Sequence, residues 1–386
     1  MSGTTLMMLG TFSTGEPQVV GNLFTWGQNN RGQLGNNTLD NPKSSPIQIG
    51  SATWRKVGAG NRSEGGSSAI NTDGNLFVWG RGVNGAIGNG ASLNVSSPVQ
   101  IGSLTTWAES GSGTYSTIAV TTDEKMYVWG LNQNGLFGST SPTGNGANRL
   151  TPLQVHSDKN WANAFTARST TFAVTTSGQL WTWGINSAGM LGQNIRSSEL
   201  AARSSPVQVG ALTDWVRVVG GESHGVGIKT NGYMYTWGGN NQGQLGTNTG
   251  ATYRSSPVQV GYKVWSQASA GSEHTVAIEN GRLWAWGDDG DGRLGLNTNN
   301  IAQSSPVQVG ALTNWTKVSC GGKVCYALKE DGTLWAWGDN QNGQVGNGLG
   351  GDGGHGPVSS PVQIGSLTTW ADVVAGQEFG LAIKST

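Results

Sequence analysis

Charge is scarce in this chain. Asp, Glu, Lys and Arg together make up 11% of it, against roughly a quarter in an average globular protein. Acids and bases balance at 22 each, so there is no general electrostatic footprint for DNA, RNA or anionic membranes, and neither kind of partner is expected. Cysteine is nearly absent. Cys320 and Cys325 are the only two, which excludes a disulfide framework and a cysteine-based zinc site. They flank Gly321-Gly322 in an expected hairpin and could sit opposite each other. Free, half-buried thiols are nevertheless the expectation for a chain made in a cytoplasm. Long apolar runs are missing as well, and none approaches the roughly 18 residues of a membrane helix. Residues 1–20 hold no Lys or Arg and only the short run LMML, so no signal peptide is expected.

Glycine (64 residues) and tryptophan (17) are abundant instead. With helix formers sparse, the composition favours a turn-rich β protein. The stretch Gly21 to Gly35, GNLFTWGQNNRGQLG, supplies the template. Its Trp-Gly pair at Trp26 returns at Trp79, Trp129, Trp183, Trp237, Trp286 and Trp337, at spacings of 49 to 54 residues. A Ser-Ser-Pro element follows at Ser44, Ser96, Ser204, Ser255, Ser304 and Ser359, with Leu150-Thr151-Pro152 as a variant. A second Trp comes next, at positions 54, 107, 161, 215, 265, 315 and 370. Hairpin turns such as Asp73-Gly74 and Asn231-Gly232 separate alternating apolar runs. Four short strands per fifty residues, repeated seven times, predict propeller blades.

The chain stops after half a repeat, and the missing half is where the repeats begin, at Gly21. The C-terminal strands are therefore expected to pair with the N-terminal ones in one composite blade, closing the ring without a free edge. Residues 1–20 fall outside the repeat and are expected to be a leader and a possible docking segment. Residues 21–386 are expected to form one domain. The Trp-Gly, Gly-Gln-Leu-Gly and Pro-Val-x-Val/Ile elements resemble those of the regulator of chromosome condensation (RCC1) family over about residues 21–386. That resemblance implies a seven-bladed β-propeller. It leaves function open, because related propellers serve as nucleotide-exchange factors, enzyme inhibitors, photoreceptors and interaction platforms.

All 17 Trp fall in repeat slots (seven, seven, and Trp181, Trp284 and Trp335), so they read as blade packing rather than a ligand surface. His224 and His274 share a slot at the head of a strand and read as structural, while nothing in the sequence pairs with His156 or His355. The run Asp288 to Gly292 faintly resembles a calcium loop, but Asn299 stands where the closing Glu should be, so an ordinary turn is expected. No catalytic group, metal or cofactor is expected, and the protein reads as non-enzymatic.

Function is expected in the loops that vary between copies, of which 139–149, 193–203 and 347–358 are the longest. The residue before the Ser-Ser-Pro slot is Arg149, Arg203 and Arg254 in three consecutive repeats, and Lys43 in the first. These four are the candidate partner-binding residues, in a basic sector expected to meet acidic or carbohydrate-acid groups on a partner. Asp288, Asp289, Asp291 and Asp339 make the following repeats acidic, for a bipolar docking face. Low charge, an amide- and hydroxyl-rich surface and near-duplicate repeats suggest an interaction scaffold in a bacteriophage virion (tail, fibre or capsid-associated). It would be made in the host cytoplasm and would meet virion components or a host receptor, within an assembly that could be a symmetric homo-oligomer. The alternatives are a cellular regulator of the exchange-factor kind and an enzyme-capping inhibitor.

Overall fold

The computed structural model describes residues 19–60, 65–113, 116–138, 148–167, 169–350 and 356–386. Residues 1–18 of the expected leader, residues 139–147 of the 139–149 loop, and residues 351–355 of the 347–358 loop with His355 therefore lie outside the described residues.

Each repeat folds as a four-stranded antiparallel sheet. In blade five the strands are Trp215–Gly220, His224–Lys229, Met234–Gly238 and Arg254–Gln259. Alternation of small or apolar with aromatic residues gives each strand two packing faces, one toward each neighbouring blade. The first strands touch their counterparts in circular succession, from Lys43–Ala59 through Trp107–Ser112 and onward to Trp370–Ala375, which contacts Lys43–Ala59 again. They form the inner wall, and the ring holds seven blades.

The expected composite blade is present. Gly21–Gly27 pairs with Phe379–Ser385 along its whole length, from Gly21 opposite Ser385 to Gly27 opposite Phe379. The 17-residue strand Lys43–Ala59 then serves two blades. Its first part is the outer strand of the composite blade, and its second part, paired with Ser67–Asn71, is the inner strand of the next.

The fourth strand is the outer edge of each sheet, with a bare row of backbone donors and acceptors. Every one of these strands carries a proline: Pro46, Pro98, Pro152, Pro206, Pro257, Pro306 and Pro361. A proline there removes a donor and discourages edge-to-edge pairing, which gives the recurring Ser-Ser-Pro a physical reason.

Among the described residues, the core is seven clusters rather than one, each spanning a seam between adjacent blades. The Trp-Gly tryptophans are fully buried in them. Each donates its indole N–H to a backbone carbonyl in the Gly-Gln-Leu-Gly turn of the preceding blade. Trp79 meets Gln33 at 2.9 Å, Trp237 meets Met190 at 2.8 Å, and Trp26 meets Gln344 at 3.0 Å, across the closure. The other four do the same. A bulky indole fills the seam while its one polar atom finds a partner, so burial leaves no desolvation cost behind. The second tryptophans are also buried, and six of them stand edge-on to the half-buried aromatic two residues before the Trp-Gly Trp, as in Trp315 against Trp335, while Trp161 packs against Trp183 instead. The packing role expected for all three sets is met.

No helix among the described residues is long and apolar enough to cross a membrane.

Candidate functional site

Because strands alternate in direction, two kinds of connection open on the same face of the ring. These are the short turns between first and second strands and the variable loops between third and fourth. The loops are held from below by one residue that the sequence reading did not single out. Three positions after the Trp of Trp-Gly stands Asn29, Asn132, Asn186, Asn240, Asp289 or Asn340, with Gly82 in blade two. Its side-chain oxygen accepts the backbone N–H five residues on, for example Leu34 to Asn29 at 3.1 Å and Leu245 to Asn240 at 3.0 Å. Its amide reaches into the loop, as Asn186 does to Ile195 and Leu200, both at 3.1 Å. Buried beneath the loop, this residue fixes where the loop leaves the blade. The periodic Asn was the signal for it.

The four candidate residues occupy one register position. Lys43, Arg149, Arg203 and Arg254 lie opposite Gly27, Gly130, Gly184 and Gly238, the glycines of Trp-Gly. Arg149, Arg203 and Arg254 come from blades three, four and five, on the outer part of the loop face. Lys43 stands apart in blade one, since blade two has Val95 in this slot. All four are half-buried. Lys43 pairs with Asp40 at 3.4 Å. Among the described residues, none of the three arginines is in an ion pair, and Arg203 donates to the Gln193 side chain at 3.3 Å. A cavity of about 370 Å³ opens beside Arg203 in the seam to blade five, lined also by Ile195, Trp215, Lys229 and Tyr235.

The acidic sector is not free in the way expected. Arg293 is buried among the carboxylates, 2.8 Å from Asp288 and 3.0 Å from Asp291, and Lys323 reaches Asp291 at 3.3 Å. Asp289 is the periodic turn residue in acidic form and accepts from Thr298 at 2.7 Å and from the Leu294 N–H at 3.2 Å. Asp339 is buried as well. The run Asp288 to Gly292 is thus a repeat turn, as expected, with a guanidinium already among its carboxylates.

Carboxylates that the sequence reading passed over stand in the first-to-second turns. Glu273 and Glu378 share a slot with Lys323, and Glu222 sits one residue earlier. Burial, with Asp288 and Glu222 nearby, raises the Glu273 carboxyl above its usual range. Burial and Asp339 do the same for Glu378.

The histidines are structural, as expected, with one difference. His224 Nε2 meets Thr275 Oγ1 of the next blade at 2.9 Å, and His274 Nε2 meets Cys325 Sγ of the next at 3.2 Å. Burial pushes the first imidazole down to about 3 and the second well below its usual value. His156, for which the sequence offers no partner, contacts the Phe137 carbonyl at 3.2 Å and packs edge-on to Trp161 and Trp183. The expectation of free thiols fails. Cys320 and Cys325 are direct register partners on adjacent strands and are joined as a disulfide.

Comparison with known proteins agrees with this architecture. The family model described as the regulator of chromosome condensation (RCC1) repeat matches residues 20–63, 73–120, 177–228, 231–278, 280–328 and 331–383. The ultraviolet-B receptor UVR8 of Arabidopsis thaliana is 29% identical over 74% of this chain, which spans 64% of that receptor's length. The human E3 ubiquitin-protein ligase HERC2 is 26% identical over 85% of this chain, which spans 7% of that ligase. The solved structure of Prp20p from Saccharomyces cerevisiae, a protein studied for its binding to Gsp1p and histones, superposes with a TM-score of 0.82. It is 18% identical and covers 98% of this chain and 94% of its own. With six matched segments covering most of the ring, the chain belongs to the RCC1 repeat family.

Proposed function

We propose that this propeller is a non-catalytic docking platform of the cellular-regulator kind, which binds a protein partner across its loop face. The observation that carries the reading is the arginine arc. Arg149, Arg203 and Arg254 recur at one register position in three successive blades, without ion-pair partners among the described residues. A rigid ring that presents unpaired guanidinium groups at regular intervals suits an acidic protein surface. The virion setting expected from composition has no counterpart among these relatives, which are a receptor, a ligase and a protein studied for its binding to Gsp1p and histones. The cellular reading is therefore preferred. The exchange-factor members that the family resemblance brought in make a small GTPase the first partner to try.

The test measures nucleotide release from, and binding to, a panel of small GTPases, with the wild-type chain and an Arg149/Arg203/Arg254→Ser variant. Binding weakened by about tenfold or more in the variant, with a flatter salt dependence, supports the arc. Equal affinity of the two proteins for the same partner removes it. Recovery of the protein as a stoichiometric part of purified virus particles overturns the cellular reading.

A further inference from the structure

We propose that His274, Cys320 and Cys325 form a redox-gated site for a soft transition-metal ion, closed by the disulfide and opened when a dithiol reductant cleaves it.

The three residues meet in the seam between blades six and seven. Cys320 ends the first strand of blade seven, Cys325 lies opposite it on the second, and His274 heads the second strand of blade six. All are buried, and one ligand atom from each lies within 4.8 Å of the other two. The two cysteines alone make no metal motif. The third donor comes from the preceding repeat, and the packing of blade six on blade seven brings it there.

The seam does not need sulfur. One blade earlier, the same contact is made by Thr275, which meets His224 Nε2 at 2.9 Å and donates to the Gln244 carbonyl at 2.9 Å. Ser67 and Thr171 hold the slot in other blades and donate to Gln33 and Leu136 in the same way. The register partner of this slot is small elsewhere, as with Gly220, Ala270 and Ala375. In blade seven both positions are cysteine. As a disulfide, Cys325 has no hydrogen to give the Arg293 carbonyl, 3.8 Å away. Sulfur here forfeits a bond that every hydroxyl in the slot makes.

The donor set suits a metal. Two thiolates and one neutral imidazole around a divalent ion sum to zero charge, which burial tolerates. Zinc–nitrogen bonds of about 2.0 Å and zinc–sulfur bonds of about 2.3 Å set a tetrahedral N···S edge near 3.5 Å. His274 Nε2 and Cys325 Sγ already stand 3.2 Å apart. The nearby Arg293 charge is committed to Asp288 and Asp291. In the opening step the reductant's two thiols become its own disulfide, and Cys320 and Cys325 each gain a hydrogen. In the binding step those two protons leave, and the ion takes both Sγ atoms and Nε2. Thiolate and imidazole ligation favours zinc or cobalt over harder ions.

This inference is independent of the docking face, and its test uses the full chain. Protein reduced by a phosphine and freed of reductant without air is titrated with cobalt(II). The expected result is one ion per chain, with a thiolate-to-cobalt charge-transfer band that oxidised protein does not show. Cys325→Thr installs the residue of the neighbouring seam, so it should fold normally and lose the band. His274→Phe, which copies Phe379 in the same slot, should bind about tenfold more weakly or worse. Reduced protein that folds but shows no such band overturns the proposal. So does equal binding by Cys325→Thr, or a reduced chain that unfolds and is not restored by the metal.

Discussion

A buried histidine ties two blades together only while it is uncharged. His224 is fully buried, and burial alone pushes its imidazole down to about 3. In the unfolded chain the same group takes its proton near 6.5. Below that value the unfolded state binds a proton that the native state refuses. The stability this residue allows is therefore complete above about pH 6.5 and falls as pH drops, with the loss continuing toward pH 3. One such group costs about 1.4 kcal/mol per pH unit in that window. His224→Ser, which copies Ser116 of blade three, should flatten the slope of unfolding free energy against pH between neutrality and about pH 5. Titrating carboxylates act on both proteins alike, so the difference between the two slopes isolates the histidine. Identical slopes would show that the imidazole is not the titrating group. The slot itself was legible in the sequence. Its partner was not, because Thr275 lies 51 residues away and comes close only through the packing of one blade on the next. The acidic sector failed for a related reason. A sequence shows that Asp289 carries a charge, but not that the side chain turns inward to hold its own loop.

At the scale of elements, strand number, hairpin turns and the Trp-Gly and Gly-Gln-Leu-Gly motifs could all be read from period and spacing, since each repeat must solve the same packing problem. What the spacing hid was how the motifs depend on each other across a seam. The last glycine of Gly-Gln-Leu-Gly shows this. Gly246 has φ of +68°, and a Cβ there would come within 2.6 Å of the Trp286 indole nitrogen, the atom that bonds Gln244. Gly210 has a similar φ of +65° but open space around it. Gly210→Ala should cost only the backbone strain, about 1–2 kcal/mol. Gly246→Ala should cost that and also displace the tryptophan, for a loss of about 3–5 kcal/mol. Denaturant unfolding of both variants separates the two terms. Equal losses would mean that the turn, and not the seam, sets the glycine requirement.

The whole molecule is held by nearest-neighbour seams, so its stability depends on there being seven of them and no end. Each blade buries its faces only against its neighbours, as in open repeat arrays. The difference lies in closure, where residues 370–385 complete a sheet begun at Gly21. Gly21 lies opposite Ser385, so the ends of the fold are adjacent. Their position is a matter of connectivity rather than packing. A circular permutant that joins Thr386 to Val19 by a short linker and opens at the exposed Ala251–Thr252 bond keeps every seam, and should unfold within about 1 kcal/mol of the parent. Deleting residues 370–386 removes two strands of blade one, exposes the Trp26 cluster and breaks two seams at once. That chain should lose cooperative unfolding altogether, because Trp26, Tyr326 and Val324 would face water across the gap. Calorimetry on the permuted and the shortened chain decides the matter. A truncated chain that still melted in a single sharp transition would show that six blades suffice, and that the composite blade is an ornament of the ring and not its lock.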